Sequence, residues 1–415
     1  MSAGAQQAGR MRGRGPARRA RPVQAFDAAW RHWRNPYPPI RQFGEDEIEA
    51  IHRASMRILS DIGIRVLSDE ARGLYRAAGM QDAGDHVIRF DPDLVGALIA
   101  QAPPEVTLRG RGPDRDATIG GNKVAICTTG GTPNFSDMRR GRRPGTLAAL
   151  DDLCRVAQSF DVIHMIGPFV EAQDIAPNLR HFAMTRSVLT LTDKVPFVFF
   201  RGTQAVADAY EMIRIAHGLS PEDFARTPVS YAVANSNSPL QLDHLMCRGI
   251  VDAARAGQLM VLTPFTLAGA MAPITLPGAL AMQNAEALAG ICLSQIVRPG
   301  APVCYGSFTS NVDMRTGAPA FGTPEYTRAA FASGQLARRY GLPLRSSGVT
   351  ASNAPDAQAM WESMNSLWAA VQSGVNLVYH AAGWLEGGLV ASYEKFVMDA
   401  DQLGTLHSMA RGVDI

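Results

Sequence analysis

Five aromatic residues lie at or just beyond the ends of short apolar runs in the second half of the chain: Phe265, Tyr305, Phe308, Tyr379 and Trp384. The electron-rich faces of such rings attract quaternary ammonium groups, by up to about 2 kcal/mol when water is excluded. Aromatic side chains also pack the end of a sheet without binding anything. The pattern therefore indicates a candidate cage for a quaternary ammonium group, with simple packing as the alternative.

His380, Cys304 and Glu325 are the residues closest to a metal-binding set. They show neither an HExxH nor a comparable ligand spacing, and a histidine at a strand end is more often hydrogen-bonded than metal-bound, so we expect no metal site. Glu325 follows a Thr-Pro pair at a predicted helix start, where a carboxylate also stabilises the helix dipole. A catalytic role and a capping role are both open for it. Asp356 is predicted to cap the next helix.

Several other enzyme motifs are missing. The chain has no GxSxG elbow and no paired acidic motif of a glycosidase. The turn 129–132 after the first predicted strand reads TGGT and lacks the GxGxxG arrangement that cradles a dinucleotide. A serine-histidine-aspartate set drawn from distant positions stays open, as does a barrel lyase or hydrolase, although we identify no acid–base pair for either.

The elements that must position these residues follow one pattern from Lys123 onward. Short apolar runs, each followed by a loop rich in small polar residues and then by an amphipathic stretch, are typical of parallel βα units. Eight strands are predicted, at 124–128, 162–169, 196–200, 229–234, 259–264, 303–308, 342–346 and 375–380. Six helices are predicted with them, at 147–159, 207–217, 240–256, 279–297, 324–340 and 356–373. This succession favours an α/β TIM (β/α)8 barrel over an open doubly wound sheet, whose periodicity would look similar.

In such a barrel the active site is built at the carboxyl ends of the strands. Besides the aromatic residues, these positions hold Arg201, Asn235, Gly348, Val349, Thr350 and His380. Neutral hydrogen-bonding and aromatic side chains outnumber charged ones there, so the expected pocket is largely uncharged.

The N-terminal part has a different composition. Six arginines precede the first acidic residue, Asp27, and without them the formal charge of +2 becomes −4. The basic character therefore belongs to residues 1–26, which we interpret as a disordered tail rather than a transit peptide, and we expect no nucleic-acid partner. Residues 27–122 are predicted to form a proline-rich extended arm and a mostly helical N-terminal cap. Its helices are expected at 45–62, 68–78 and 92–101, with Gly63 ending the first.

Composition limits the class of protein. The chain has 415 residues, 46% of them hydrophobic, which is enough for one large barrel domain. Its five cysteines are scattered without CxxC spacing, which argues against a disulfide framework and fits a reducing cytoplasm. No apolar run reaches about 18 residues, so we expect no membrane span and a cytoplasmic location.

Three groups of residues, in order, resemble the trimethylamine methyltransferase family. They are residues 51–56 with 62–64 (IHRASM and IGI), YGS at 305–307 with GTPE at 322–325, and GLP at 341–343 followed by PDAQA at 355–359. The resemblance runs from about Phe43 to the end of the chain. It implies a TIM barrel and transfer of a methyl group from an amine to the corrinoid, a cobalamin-type cofactor, of a separate corrinoid protein; no cofactor bound permanently by this chain is implied.

The chain departs from that family in the loop 348–353. Trimethylamine enzymes of the family carry pyrrolysine there, whereas this chain has Val349 or Thr350 at the matching position. It therefore resembles the branch without pyrrolysine, which is similar to glycine betaine methyltransferase. A quaternary ammonium needs no prior activation to leave as a neutral amine, so a betaine-like substrate is expected, with Arg201 or asparagines holding its carboxylate.

The resemblance also ranks the site residues. We expect catalytic roles for Glu325, Tyr305, His380, Val349 and Thr350, and substrate contacts from Phe265, Tyr379, Trp384, Arg201, Asn235 and Gly348. Family members continue well past Ile415, which predicts that the barrel domain 123–415 is truncated. A homo-oligomer is left open, and the alternative function is that of a non-catalytic quaternary-amine binding protein of the same fold.

Overall fold

The computed structural model describes residues 32–112, 114–200 and 202–411. Twelve α-helices lie in this part of the chain: α1 (Glu45–Arg57), α2 (Asp69–Ala77), α3 (Pro92–Ile99), α4 (Leu147–Gln158), α5 (Pro177–Leu191), α6 (Thr203–Ala216), α7 (Pro221–Phe224), α8 (His244–Ala256), α9 (Leu276–Val297), α10 (Pro324–Arg339), α11 (Ala357–Gln372) and α12 (Tyr393–Ala410). All nine helices predicted from the sequence are present. The tail predicted for residues 1–26 lies outside the described residues.

Three helices were not predicted: α5, α7 and α12. The buried positions of α5 are His181, Met184, Thr185, Ser187 and Leu189, so polar side chains interrupt its buried face. In α12 the buried face includes a lysine, an aspartate and a histidine. Because a helix is recognised in sequence by a stripe of apolar residues, these two helices leave a weak signal.

Six parallel strands form a curled, half-barrel sheet. In spatial order they are Tyr231–Ala234, Leu259–Leu262, Val303–Gly306, Leu344–Ser347, Leu377–Tyr379 and Lys123–Ile126. Ala117–Gly120 and Glu105–Leu108 continue the sheet in antiparallel fashion, and the short strand Trp33–Arg34 pairs with Lys123–Ile126. The molecule is thus mixed α/β, with the predicted parallel strands as its centre.

The second and third predicted strands are wrong as regular strands. Around 162–169 and 196–200 the structure has only single parallel bridges, which join Cys127 to Met165, Met165 to Val195 and Phe197 to Tyr231. Pro168 and Pro196 lie within the predicted runs, and proline has no N–H to donate to a neighbouring strand. The bridges nevertheless link the two outer strands of the curled sheet.

Two further predicted strands end earlier than predicted, and each is followed by a second strand. The run predicted at 259–264 is followed by a separate strand, Phe265–Ala268, and the run predicted at 303–308 by the strand Phe308–Val312. These two extensions pair in parallel with each other, and Pro319–Ala320 pairs with the second. A second small sheet contains Trp384–Leu385, Val390–Ser392, Asn134–Asp137 and Gly141–Pro144. Both sheets lie beyond the carboxyl ends of the central strands.

The N-terminal cap is less helical than predicted. Ile64–Val66, Val87–Arg89 and Gln81–Asp82 form a small sheet with Gln241–Leu242. Helix α1 continues as one π-helical segment, Ile58–Ile62, and Gly63 ends it with φ +86°. A Cβ at Gly63 would lie 2.5 Å from the Ile88 carbonyl oxygen, so only glycine allows the chain to turn into the cap sheet there.

Helix α9 forms the centre of the core outside the sheet. Its side chains are buried almost without interruption from Ala279 to Gln295. The cap helices α1, α2 and α3 pack on it from outside, while α8 and α10 flank it. A helix that is buried on all sides needs packing partners on all sides, which explains why the chain needs the N-terminal cap. Within the described residues, no helix has the length and apolar character required to cross a membrane.

Candidate active site

An aromatic cluster lies beyond the carboxyl ends of the central strands. Its middle ring is Phe308, which stacks on Phe321 with ring centroids 5.4 Å apart and lies 5.1 Å from Phe265. Trp384 meets Phe308 edge-on at 6.3 Å and lies 4.1 Å from the imidazole of His380. The rings are in mutual contact, as simple packing predicts, and a cage would form only if they moved apart around a ligand.

Phe308 reaches this place because the chain breaks between two strands. A Cβ at Gly306 would lie 1.8 Å from Thr263 Oγ1, so a residue with a side chain would not fit against the neighbouring strand. After this close approach, Phe308–Val312 pairs with Phe265–Ala268 and places Phe308 directly opposite Phe265. Close side-chain pairs of this kind stabilise neighbouring strands.

Arg345 is buried next to the cluster without a counter-charge. It lies in the strand Leu344–Ser347, and its side chain is 1% exposed. One guanidinium NH2 group donates to the Ser307 carbonyl at 3.1 Å, while Nε has no hydrogen-bond partner in the described part of the chain. Neither an aspartate nor a glutamate of the described residues forms an ion pair with it. Leaving such a cation unpaired in the interior is costly.

The Arg345 guanidinium instead lies over two aromatic faces. Its central carbon is 5.0 Å from the ring centre of Phe308 and 5.1 Å from that of Tyr379. Burial lowers the pKa of Arg345, yet an arginine retains its charge in a protein. These two rings therefore already make cation–π contacts in the structure.

His380 is a neutral imidazole held in one tautomer. Arg345 donates to its Nδ1 at 3.3 Å, and because a guanidinium has only donors, Nδ1 must be the accepting nitrogen and Nε2 must bear the proton. Burial, reinforced by the Arg345 charge, holds the pKa of His380 well below 6.5. Its backbone has φ +56°, a left-handed conformation that is uncommon for residues other than glycine and is enriched at functional sites. His380 can thus donate from Nε2 but is not an acid at neutral pH.

Two buried threonines next to this region also lack partners. The hydroxyls of Thr129 and Thr263 make no hydrogen bond to any described residue, and both residues follow the carboxyl end of a central strand. Buried polar atoms are nearly always satisfied by protein, water or ligand. Together with Arg345 Nε they place several unsatisfied polar groups at the same end of the sheet.

The loop 348–352 forms one wall of the cluster. The loop approaches α11 closely at Gly348, where a Cβ would lie 2.6 Å from the end of the Leu367 side chain. Val349 is fully buried and packs with the aromatic rings. Thr350 directs its hydroxyl to the Glu362 carboxylate at 2.5 Å, and its carbonyl accepts the Trp384 indole N–H at 3.1 Å.

The structure brings together many of the predicted site residues. The aromatic cluster and its wall contain Phe265, Tyr379, His380, Trp384, Gly348, Val349 and Thr350. Tyr379 lies deepest: its ring faces the sheet interior beside Tyr231 and Cys127, and burial raises its pKa. These roles stay predictions, but the residues share one region.

Tyr305 is not brought to the cluster. Its hydroxyl donates to Asn284 at 3.0 Å and receives a hydrogen bond from Gln283 at 3.1 Å, both on α9. The ring therefore lies between the sheet and α9, on the opposite face from Arg345. Burial raises the pKa of this phenol, which fits a hydrogen-bonding role within the core.

The remaining predicted residues lie at the surface or outside the described chain. Glu325 is exposed in the first turn of α10, where its neighbour Tyr326 is the residue buried in the cluster. Asn235 is exposed in the loop after Tyr231–Ala234. Arg201 lies outside the described residues. Asp356 caps α11 as predicted, accepting from the Ala359 amide at 2.9 Å.

Sequence reasoning missed Arg345, Phe321 and Glu362. A single arginine inside the apolar run LPLRSS was a usable signal for Arg345, because a charge in a predicted central strand must face inward or outward for a reason. Phe321 lies in a loop and Glu362 on a helix, and neither position belongs to a predicted strand end. No motif would have found them.

The candidate metal ligands named from the sequence do not come together among the described residues. The described residues contain no group of three or more histidine, cysteine, aspartate or glutamate side chains that could hold an ion. The Cys304 thiol faces the Pro343 carbonyl at 3.3 Å, and burial raises its pKa. Cys304, His380 and Glu325, considered together from the sequence, are thus placed in different surroundings.

Exposed apolar side chains surround the same end of the sheet. Met314 (83% exposed) and Ile274 (69%) lie on loops after the extension strands, and Met138 (78%) and Leu389 (50%) lie on turns of the small sheet. Trp361 (65%) is near the start of α11. We call these five residues the rim. Large exposed apolar residues that form a contiguous patch mark surfaces that contact partners.

Comparison with known families gives one match over nearly the whole chain. The family model described as trimethylamine methyltransferase (MTTB) matches residues 10–415. The chain is 36% identical over 377 residues to the glycine betaine methyltransferase of Desulfitobacterium hafniense (strain Y51), covering 90% of this chain and 78% of that protein. It is 30% identical over 387 residues to trimethylamine methyltransferase MttB1 of Methanosarcina mazei, covering 91% and 77%.

Solved structures show the same fold at low identity. The hydroxylamine complex of MtmB superposes with a TM-score of 0.58 at 13% identity and covers 92% of this chain and 83% of that one. The monomethylamine methyltransferase MtmB of Methanosarcina barkeri gives 0.56 at 12% identity, with coverage of 89% and 79%.

Proposed function

The chain belongs to the trimethylamine methyltransferase family, and from this membership we propose that it moves a methyl group from a quaternary, betaine-like amine to the Co(I) corrinoid of a separate corrinoid protein. The matches to a glycine betaine and to trimethylamine methyltransferases support methyl transfer from a methylated amine. Identification of the amine as betaine-like and of the acceptor as a corrinoid is the proposal.

One observation carries the choice of substrate: Arg345 is a fully buried cation without an acidic partner. A carboxylate from a zwitterionic substrate would supply the missing counter-charge and accept from the free Nε. His380 would add a second donor through Nε2–H. Trimethylamine carries no carboxylate, so it would leave this cation unpaired. Arg345 would thus hold the carboxylate, the role expected from the sequence for Arg201 or asparagines.

The ammonium end of such a substrate requires only aromatic faces and exclusion of water. Phe308 lies 5.0 Å from the Arg345 guanidinium, and Phe265 and Trp384 lie next to Phe308, with ring centroids 5.1 and 6.3 Å from it. Cation–π contacts of desolvated ammonium groups are worth up to about 2 kcal/mol each. Since the rings touch each other, we expect the partly buried Phe265 to shift on binding.

The proposed reaction needs no proton donor from this chain. A reduced corrinoid carried by the partner would supply a strong nucleophile for a methyl carbon, in line with the C–N bond. The electron pair of that bond would stay on nitrogen, which would leave as a neutral tertiary amine without needing a proton. The residues here would therefore orient the methyl group and exclude water, which agrees with a neutral His380 and with the lack of an acidic side chain in the cluster.

The loop position that carries pyrrolysine in trimethylamine enzymes is filled differently here. Val349 packs into the aromatic cluster, and Thr350 turns toward Glu362. Neither side chain offers an electrophile for an uncharged amine. This supports a substrate that already carries a positive charge.

The partner would dock on the rim. We propose that the bridges through Met165, Val195 and Phe197 close the curled sheet into a TIM barrel, with the rim around its mouth. A corrinoid protein pressed on this surface would bring its cofactor to the substrate while covering exposed apolar side chains. Cytoplasmic location and oligomeric state stay predictions.

The test is methyl transfer with defined components. Purified chain, a corrinoid protein reduced to Co(I) and glycine betaine should give methylated corrinoid, followed by absorbance, with one dimethylglycine per methyl group. Trimethylamine should give little. Calorimetric binding of betaine without transfer by any partner would instead support the non-catalytic binding protein, and neither binding nor transfer with a panel of methylated amines would overturn the proposal.

A further inference from the structure

We propose that Glu362 is a positioning residue that holds the two loops of the site at a fixed spacing. The loops are 348–352, which forms the wall of the aromatic cluster, and 380–387, which contains His380 and Trp384. The significance of this spacing for catalysis rests on the proposed function. The physical link between the loops does not.

Glu362 lies on α11 and is 8% exposed, yet its carboxylate gathers four hydrogen bonds. The amides of Ala351 and Ser352 donate to Oε2 at 2.8 and 3.1 Å. The Thr350 hydroxyl donates to the same oxygen at 2.5 Å, and Gln358 donates to Oε1 at 2.8 Å. Three consecutive residues of the loop are thus fixed by one side chain.

The loop held by Glu362 in turn supports the second loop. The Thr350 carbonyl accepts from the Trp384 indole and from the Gly387 amide at 3.3 Å, and the Ser352 carbonyl accepts from the Glu386 amide at 2.9 Å. The indole is the ring that contacts His380 and Phe308. A shift of residues 350–352 therefore moves Trp384 with them.

The next residue on α11 holds the second loop from its other side. Ser363 accepts from the Lys395 ammonium at 2.7 Å, and Lys395 pairs with Asp399 in a fully buried ion pair. Asp399 also accepts from the Gly383 amide at 2.8 Å. Two successive side chains of α11 consequently hold residues on both sides of Trp384.

The site of Glu362 is also shaped to let α11 come close. Gly322, which precedes the N-cap of α10, has φ +73°, and a Cβ there would lie 2.5 Å from Cβ of Glu362. Among the described residues, the carboxylate has no lysine or arginine partner, so its hydrogen bonds come from neutral donors. Burying a carboxylate in this way costs desolvation energy, which a packed apolar residue would avoid. We attribute its presence to the geometry it imposes on the loop.

The test uses Glu362→Ala and Glu362→Gln in the full chain, with Asp193→Asn as the matched control. Asp193 also accepts two side-chain hydrogen bonds, from Arg115 and Gln158, but lies before the bridge residue Val195, outside both loops of the site. The first readout needs no substrate: the indole N–H resonance of Trp384, assigned with Trp384→Phe. We expect its position to change and its exchange with water to quicken at least 10-fold in Glu362→Ala.

The second readout is calorimetric binding of glycine betaine. We expect the Kd to rise at least 10-fold in Glu362→Ala and less in Glu362→Gln, which retains one acceptor for the loop. Folded variants in which both the Trp384 resonance and the Kd are unchanged, while only the thermal midpoint falls as in Asp193→Asn, would overturn the inference. If Glu362→Ala fails to fold, Glu362→Gln decides. If the native chain binds no betaine, the proposed function fails and the indole readout still tests the positioning role.

Discussion

At the scale of single residues, burial of Arg345 costs stability and is better explained by the candidate site. Proteins rarely bury a guanidinium without a carboxylate, because desolvation is not repaid. Two aromatic faces, one carbonyl and one imidazole compensate Arg345 only in part. The residue is therefore understood more readily as one half of a pair whose other half is a ligand.

Replacing Arg345 tests this directly. In Arg345→Met we expect the affinity for glycine betaine to fall about 10- to 100-fold, the loss of one charged hydrogen-bonded contact. The thermal midpoint should stay level or rise, because an unpaired buried charge is removed. Arg345→Lys, which keeps the charge but not the fork of donors, should lie between. A marked loss of stability with unchanged betaine affinity in Arg345→Met would contradict this role.

His380 predicts how stability depends on pH. Burial keeps its pKa well below 6.5 in the folded chain, so the unfolded chain binds a proton first as the pH falls below about 6.5. Stability should therefore decrease with acidification, by up to about 1.4 kcal/mol per pH unit for one such group. His217, whose pKa burial and nearby arginines lower to about 4, adds to the same trend.

The contribution of His380 can be isolated by urea unfolding at pH 7 and pH 5. His380→Asn should lose less stability than the native chain between these values, and His217→Asn serves as the matched comparison. An equal loss in His380→Asn and the native chain would mean that His380 takes up its proton in the folded state.

At the scale of elements, helix α11 both covers the sheet and positions one wall of the candidate site. Its first turns contain the cap Asp356, the carboxylate Glu362 and the link through Ser363, while its later turns pack Leu367 against Gly348. Register along this helix therefore sets the wall of the candidate site. A helix that frays at its start would loosen that wall.

Removing the cap tests this dependence. Asp356→Ala should lower the thermal midpoint by roughly 1–4 °C, since a lost N-cap is a modest change in a chain of this size. Asp356→Asn, whose side chain caps equally well, should restore it. Methyl transfer by Asp356→Ala should continue at low temperature. Complete inactivity with normal stability would instead assign Asp356 a direct role.

At the scale of the whole molecule, the five rim residues belong to α11 and to the loops and turns of the two small sheets, beyond the carboxyl ends of the central strands. The five rim side chains are large, apolar and at least 50% exposed, and they lie among exposed arginines such as Arg139 and Arg315. Partner contact and substrate binding are thus predicted to use neighbouring but separate surfaces, and they should respond to different substitutions.

A charge placed on the rim tests the separation. Met314→Glu should raise the KM for the corrinoid protein about 10-fold or more, because a buried, unpaired carboxylate opposes docking, and should leave the betaine Kd unchanged. Ile215→Glu is the matched control, since Ile215 is 63% exposed on α6 and does not belong to the rim. Equal KM values for the two variants would exclude the rim as the docking surface.

The sequence by itself determined the order of the elements and the family. Alternating apolar runs and amphipathic stretches located nine helices and most of the central strands, because burial imposes a local period on each element. The three groups of motif residues identified the family before any geometry was known. The sequence did not correctly predict the segments interrupted by proline or the helices with polar residues on their buried face. The local pattern of both is weak.

Only the tertiary structure decided which of the residues near the strand ends meet. Successive side chains of a strand face opposite sides of the sheet. An error of one residue in the predicted register, or one break in the strand such as that at Gly306, therefore moves a side chain to the other side. Tyr305 thus faces α9 while Phe308 faces the cluster, and Arg345 is a candidate anchor that the sequence did not indicate. Glu362 joins from a helix. Apart from Tyr305, the aromatic residues at the strand ends share one region. Strand register and helix packing bring them there, and a local sequence pattern contains neither.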